Sequence, residues 1–270
     1  MNQPGSRKAV KGQYRVIIPQ LIKREISERY RGSMLGILWS LITPLILLGV
    51  YTFVFGILFE ARWEEALPGA SNLEFAMILF AGLTVFQLFA DVLTRAPTLI
   101  LSHTNYVKKV VFPLEVLVPV SLGSALFHAM ISFIILMVLV VCLTGRIPIT
   151  ALLFPVVLFP FCVMLLGLSW ALAAIGVYLR DMGQIIGTFV TAMMFLAPIF
   201  YPPSVIPEWA ARYVIINPIV VPVNAIRDIL VFGRMPDWIA LVIYSAIALI
   251  ICAAGLFIFQ RTRKGFADVL

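Results

Sequence analysis

The sequence predicts an all-α integral membrane protein with six transmembrane helices, and three observations carry that prediction. Hydrophobic residues make up 62% of the 270-residue chain and charged residues 12%, with a mean hydropathy of +1.05, too apolar for the surface of a soluble domain. The charged residues gather in short segments and leave runs of about 20 residues or more that can cross a bilayer as helices. The basic residues fall mostly in alternate segments, the pattern the positive-inside rule gives a multi-pass chain.

Residues 1–31 form a basic N-terminal segment holding Arg7, Lys8, Lys11, Arg15, Lys23, Arg24, Arg29 and Arg31. From Gln20 to Arg31, Ile22, Ile26 and Tyr30 recur at spacing four, with Arg24, Glu28 and Arg31 opposite; Glu25 and Arg29 blur the pattern. The stretch fits an amphipathic helix along the inner membrane surface, and equally a basic flank that only sets topology. The transmembrane part, 32–260, has spans at 32–59, 75–94, 116–145, 147–179, 182–207 and 238–260. The first run starts after residue 31, is longer than a signal-peptide core, contains Pro44 and lacks a small-residue cleavage site, so it reads as a retained helix. The second carries Asp91, four residues before Arg95, a spacing at which the two can pair at the interface. The run Tyr213 to Ile226 has 14 residues and two internal prolines, which makes it re-entrant or interfacial. A basic tail, 261–270, closes the chain.

With the N-terminus in the cytoplasm, six spans place fifteen basic residues inside and five outside, the latter being Arg62, Arg146, Arg212, Arg227 and Arg234. Counting Tyr213 to Ile226 as a seventh span would put the basic C-terminus outside. Both termini are therefore expected in the cytoplasm. Arg180 and Asp181, with 33 uncharged residues before them and 26 after, then form a tight cytoplasmic turn between spans four and five.

The net charge of +7 would suggest a nucleic-acid partner in a soluble chain, but here it is spent on topology and no such partner is expected. Cys142, Cys162 and Cys252 are scattered in apolar runs, as small buried hydrophobes and not as disulfides or a metal site. His128 sits mid-span, where a helix-to-helix hydrogen bond is the expected role. "GLSW" at Gly167 to Trp170 resembles an intramembrane serine protease motif until Trp170 replaces the glycine. No G-x-x-x-x-G-K-[ST] occurs, so no ATP hydrolysis is expected of this chain, and no catalytic residue or metal site is assigned. Gly183, Gly187 and Thr191, and Gly36 and Ser40, repeat at spacing four and suggest close helix packing within a subunit, or a dimer seam. Tyr51, Phe55 and Phe59 form an aromatic stripe, with Tyr201 at the outer end of the fifth span; they suit either a sugar-chain path or a lipid-facing belt. The inner loop "LSHTNYVKKVVFPLE", Leu101 to Glu115, reads as a short surface helix for a cytoplasmic partner or as a plain basic loop.

"SERYRGSMLGILWSLITPLILLGVYTFVFG", "NYVKKVVFPLEVL", "VYLRDMGQIIG", "APIFYPPSVIP" and "INPIVVPVNAIRDIL" occur in that order. Together, from about Ile22 to the C-terminus, they resemble the membrane subunit of bacterial ABC exporters for O-antigen, capsule and teichoic acid polysaccharides. The resemblance implies a homodimeric permease of the bacterial plasma (inner) membrane with two separate cytoplasmic ATPase subunits, which would bind the ATP and Mg; no cofactor is expected in this chain. It makes Gln20 to Arg31, with Arg24, Arg29, Tyr30 and Arg31, an interface helix near an anionic headgroup. Within the loop 96–115 it makes Asn105, Tyr106, Val107, Lys108 and Lys109 the segment that docks on the ATPase. In the outer region 208–237 it implies short re-entrant gate helices with Asn217 and Pro218 at their bend. It also sets Tyr51, Phe55 and Tyr201 along the channel, and the Arg180 and Asp181 turn on the ATPase side.

The function implied is export of lipid-linked polysaccharide, driven by a partner's ATP hydrolysis. A permease of the same superfamily for drugs or lipids is the alternative within transport, and a polytopic glycosyl or acyl transferase the alternative outside it. A transferase should gather carboxylates or histidines at one membrane face. The only acidic cluster, Glu60 to Glu74, has four acids and one base and reads as a solvated loop.

Overall fold

The computed structural model describes residues 4–54, 72–108, 112–201 and 216–270, with residues 206, 207, 209 and 214 between the last two segments. Phe55, Phe59 and Lys109 lie outside the described residues, as does most of the Glu60 to Glu74 loop. Among the described residues every regular element is helical: α1 (Pro4–Tyr30), α2 (Trp39–Tyr51), α3 (Asn72–Arg95), α4 (Thr104–Lys108), α5 (Leu117–Thr144), α6 (Phe154–Tyr178), α7 (Met182–Leu196), α8 (Val220–Arg227), α9 (Trp238–Thr262) and α10 (Phe266–Val269).

Among the described residues, five stretches are long and apolar enough to cross a membrane: Gly36–Val54, Leu73–Thr98, Leu114–Thr144, Ile149–Tyr178 and Trp238–Val269. The fifth expected span, 182–207, is not one continuous helix. α7 has 15 residues, which at 1.5 Å per residue rise about 22 Å against a hydrocarbon thickness of about 30 Å. It stops because Pro198 disfavours helical geometry in the residue before it, and Ala197 is extended (φ −89°, ψ 143°). At the other end of the chain α1 gives way to the first span through Gly32 (φ +86°) and Gly36 (φ +51°), conformations open to glycine.

α3 is the axis of the fold. It packs against α2, α5, α6, α7 and α8, and from Phe75 to Leu93 only Gln87 is exposed. The other tight seam joins α6 to α9, where Gly255 faces the backbone of Gly167, and Gly167 faces that of Cys252. Gly176 sits equally close to the backbone of Pro97, holding α6 against the end of α3. These are not the glycines that spacing selects. Nothing lies within 4 Å of a Cβ built at Gly187 or Gly36, and Gly183 meets only the Thr98 methyl group at 3.8 Å, so the repeat on α7 makes no close seam within the subunit. The spacing is right, but α7 is peripheral and turns that face outward. Cys142 is exposed at the end of α5, not buried; Cys162 and Cys252 are half-buried, and all three are free thiols.

A methyl group added at Gly255 would clash with the Gly167 carbonyl oxygen, so the two helices must separate. Gly255→Ala should lower the thermal midpoint of the solubilised protein by an overpacking penalty of about 1–3 kcal/mol or more. Gly187→Ala, into open space, should not lower it.

Candidate functional site

The sequence-selected residues occupy two regions of the bundle. At the first, α1, the end of α3, α4, the α6–α7 turn and the C-terminus meet. α1 lies along α5, with Ile22 over Gly123, and Ile22, Ile26 and Tyr30 are half-buried while Arg24, Glu28 and Arg31 are exposed. Glu25 and Arg29 interrupt the amphipathic pattern because their partners are on α3. Arg29 Nη1 contacts Asp91 Oδ2 at 3.1 Å, and Arg95 bridges Glu25 Oε1 at 3.2 Å and Asp91 Oδ1 at 2.9 Å. The pairing expected from the Asp91 to Arg95 spacing is thus formed and extended into a four-residue network. Burial pushes the Glu25 carboxyl up, opposed by the charge of Arg95. Arg24 pairs with Glu28 at 2.7 Å on the exposed face. Tyr30 and His128 Nδ1 are hydrogen-bonded at 3.1 Å with their rings edge to face, which is the helix-to-helix bond expected of His128.

α4 is a single turn held by aromatic stacking. The His103 and Tyr106 rings are 5.7 Å apart and nearly parallel at 9°, and Tyr106 stacks on Phe112 at 4.7 Å. Tyr106 and Phe112 rest on a cluster built from Leu99, Ile100, Leu114, Trp170, Phe259 and Phe266. Asn105 is exposed, and Val107 and Lys108 continue the helical turn. The same cluster is tied down by Trp170 Nε1 donating to Glu115 O (3.1 Å), by Arg263 and Glu115 at 2.9 Å, and by the Tyr178 hydroxyl donating to Thr262 O (2.9 Å). Arg180 and Asp181 are exposed beside it, in a tight turn in which Met182 N–H donates to Leu179 O at 3.2 Å and Asp181 O accepts from the N–H groups of Gln184 and Ile185.

The second region is the opposite end of α3. Asn217 and Pro218 lie at a bend before α8. Asn217 Oδ1 accepts from Ile219 N–H at 3.1 Å, and the Pro218 carbonyl accepts from the Tyr244 hydroxyl at 3.0 Å. α8 then brings in Arg227, which topology counted among the outside basic residues but which is 1% exposed. Its guanidinium donates to three carbonyls: Nε to Ile78 O at 3.0 Å, Nη1 to Pro198 O at 2.7 Å and Nη2 to Ile199 O at 2.9 Å. It therefore ties α8 to α3 and to the turn that ends α7. Gly82 makes room for it, since a Cβ there would stand 2.7 Å from Nη2. Sequence reasoning passed Arg227 over; the signal was a single cation closing an apolar run, "PVNAIRDIL". Tyr51 on α2 packs near Phe200 (ring centroids 6.0 Å), and the half-buried Tyr201 donates its hydroxyl to Phe195 O at 3.0 Å. The two tyrosines thus flank the same α2 and α7 border.

The residues that bind this architecture together, 18–231, match the ABC-2 type transporter family. The chain belongs to that family. Among its ABC-2 relatives, the O-antigen export system permease protein RfbA of Myxococcus xanthus is 30% identical over 259 residues, 95% of this chain and 96% of the relative. RfbA of Klebsiella pneumoniae is 24% identical over 93% of both chains. The polysialic acid transport protein KpsM of Escherichia coli is 24% identical over 93% of this chain and 94% of its own. These relatives are named as permeases and transport proteins, not as transferases. Each alignment spans nearly the whole chain, so it takes in both ends of the bundle.

Each carbonyl that Arg227 caps would lose a buried partner on truncation, at about 1–3 kcal/mol apiece. Arg227→Gln should therefore depress the thermal midpoint far more than Arg234→Gln, whose residue is exposed.

Proposed function

We propose that this chain is the membrane-spanning permease subunit of an ABC exporter that carries lipid-linked, O-antigen-like polysaccharide from the cytoplasm across the bacterial plasma membrane. The observation that carries the reading is the 30% identity, over 95% of this chain, to a permease named for O-antigen export. Two copies form the translocating unit, each with its basic end and both termini in the cytoplasm, as the charge distribution favours. The small-residue face of α7, with Gly183 and Gly187 half-buried and Thr191 exposed, is suited to the second copy. A separate cytoplasmic ATPase binds ATP and Mg and docks on the turn containing Asn105 to Lys109. Stacking of Tyr106 between His103 and Phe112 supports that role, because a push on a rigid turn is passed on to its neighbours. Arg24, Arg29, Tyr30 and Arg31 stand at the same end. With Arg24 and Arg29 engaged by Glu28 and Asp91, Arg31 is the cation best placed to meet an anionic headgroup. Asn217 and Pro218 shape the outer gate, and Tyr51, Phe55 and Tyr201 border the path.

Removing the chain should abolish surface polysaccharide and leave the polymer inside the cell; unchanged surface polysaccharide would defeat the reading. The purified chain should hydrolyse no ATP by itself and support hydrolysis only when its ATPase partner is reconstituted with it, as a phosphate-release assay would record. Asn105→Cys should cross-link to that partner, and the same replacement at the exposed Met235, near the other end, should not.

A further inference from the structure

A cavity of about 410 Å3 lies between the end of α1 and the helices α2, α3 and α5, well inside the range of about 300–1,000 Å3 typical of small-molecule sites. Its walls set polar side chains among apolar ones. On α3 the residues Thr84, Gln87, Asp91 and Thr94 recur at helical spacing on one face of a helix otherwise buried in apolar contacts. On α5, His128 and Ser132 face them, and α2 adds Ser40 and Thr43. Polar residues inside a membrane span are uncommon and mark functional sites by default.

The chemistry of the wall narrows the ligand. Its charged residues are Arg29 and Asp91, paired at 3.1 Å, with Arg95 and Glu25 completing a network of two cations and two anions. The charges cancel, and an anion entering the cavity would meet a carboxylate beside every guanidinium. The hydroxyls of Thr84, Thr94 and Ser132 each donate to a carbonyl of their own helix, and that of Ser40 to Ile37 O in the turn before α2, so they offer lone pairs inward. Gln87 presents an exposed amide, with donors and an acceptor. His128 Nε2 is buried with no hydrogen-bond partner among the described residues. Trp39, Tyr30 and Tyr51 supply ring faces. Acceptors, an amide, an imidazole and flat apolar rings, without net charge, fit a neutral polyhydroxyl ring that shows hydroxyls at its edge and C–H groups on its faces.

We propose that this cavity is a saccharide subsite within each subunit that holds an uncharged sugar unit of the transported chain. The inference rests on the polysaccharide-export reading and adds to it a location inside one subunit.

The test uses intact cells carrying the full transporter, with the photoreactive residue benzoylphenylalanine placed at Thr43 and, as a control, at Ile243, which is exposed on α9. After irradiation the chain is purified and stained for glycan by periodate oxidation. Glycan-positive adducts at Thr43 and none at Ile243 are expected. Adducts at Thr43 that contain only phospholipid, or none containing glycan, overturn the subsite. The dependence of surface polysaccharide on this chain, measured in the same strain, decides the export reading separately. A second measurement avoids the bulky probe: Gln87→Leu should reduce surface polysaccharide several-fold at unchanged abundance of the chain, with Gln87→Asn restoring it. Full export by Gln87→Leu overturns the subsite.

Discussion

In hydrocarbon no water is available to pair a backbone N–H or C=O, so every turn placed inside the membrane needs a side chain to complete it. The architecture follows that constraint most plainly at Arg227. Pro198 ends α7 early and leaves the carbonyls of Pro198 and Ile199 in a turn without helical donors; the guanidinium supplies both, and reaches Ile78 O on α3 as well. One side chain thereby fixes the relation of three elements. Gly82 is part of the same arrangement, because only the missing Cβ lets a planar cation lie against α3. Around it, lesser donors act alike, Tyr244 on the Pro218 carbonyl and Thr150 on Ile229 O at 2.7 Å, while the Asp237 carboxylate caps α9 by accepting from the N–H groups of Ile239 and Ala240. α8, with eight residues, is held in place by side chains that join it to its neighbours, not by its own length.

The opposite end is fixed by a different device. There α1, α3 and α4 meet in a partly wetted zone where ion pairs and stacked rings replace buried carbonyl capping. Exposed pairs of this kind are each worth little, but Arg95 joins two carboxylates from different helices, and Tyr30 reaches a third helix through His128. α4 is held by ring stacking of Tyr106 over the Leu99 and Phe266 cluster. Since Gly176 presses α6 onto Pro97 in the same layer, α4 rests on the packed ends of α3, α6 and α9.

Much of this was legible in the sequence, and what was not has a physical reason. Long apolar runs and their charged boundaries report helix existence directly, because hydrocarbon thickness sets a length no tertiary contact can override. The Asp91 to Arg95 pair was readable because it is local. Its extension to Glu25 and Arg29 was not: those partners lie 70 and 62 residues away, and in the sequence they look like blemishes in an amphipathic pattern. The glycine repeats show the same limit. Spacing identifies a face that can pack closely, but which helix meets it depends on topology, so Gly187 is open while Gly167 and Gly255, 88 positions apart, touch. The break in α7 follows from Pro198, whose restriction on Ala197 ends the helix inside a run that carries no charge. The burial of Arg227 was not legible because the positive-inside count treats every cation as solvated.

The polar positions of α3 divide into two kinds, and the division explains how a central helix can be both buried and functional. Thr84 returns its hydroxyl to Phe80 O at 2.9 Å and Thr94 to Ala90 O at 2.6 Å, so each is satisfied within the helix, and the buried Thr84 adds little to the expense of burial. Gln87 has no such recourse: an amide two bonds farther from the backbone cannot fold back on its own turn without strain, and it points to the one open side of the helix. Leucine at this position would match Leu83 and Leu88 and remove the exposed amide from a hydrocarbon setting at no loss of helix propensity. Packing therefore gives no reason for Gln87, and the cavity beside it does.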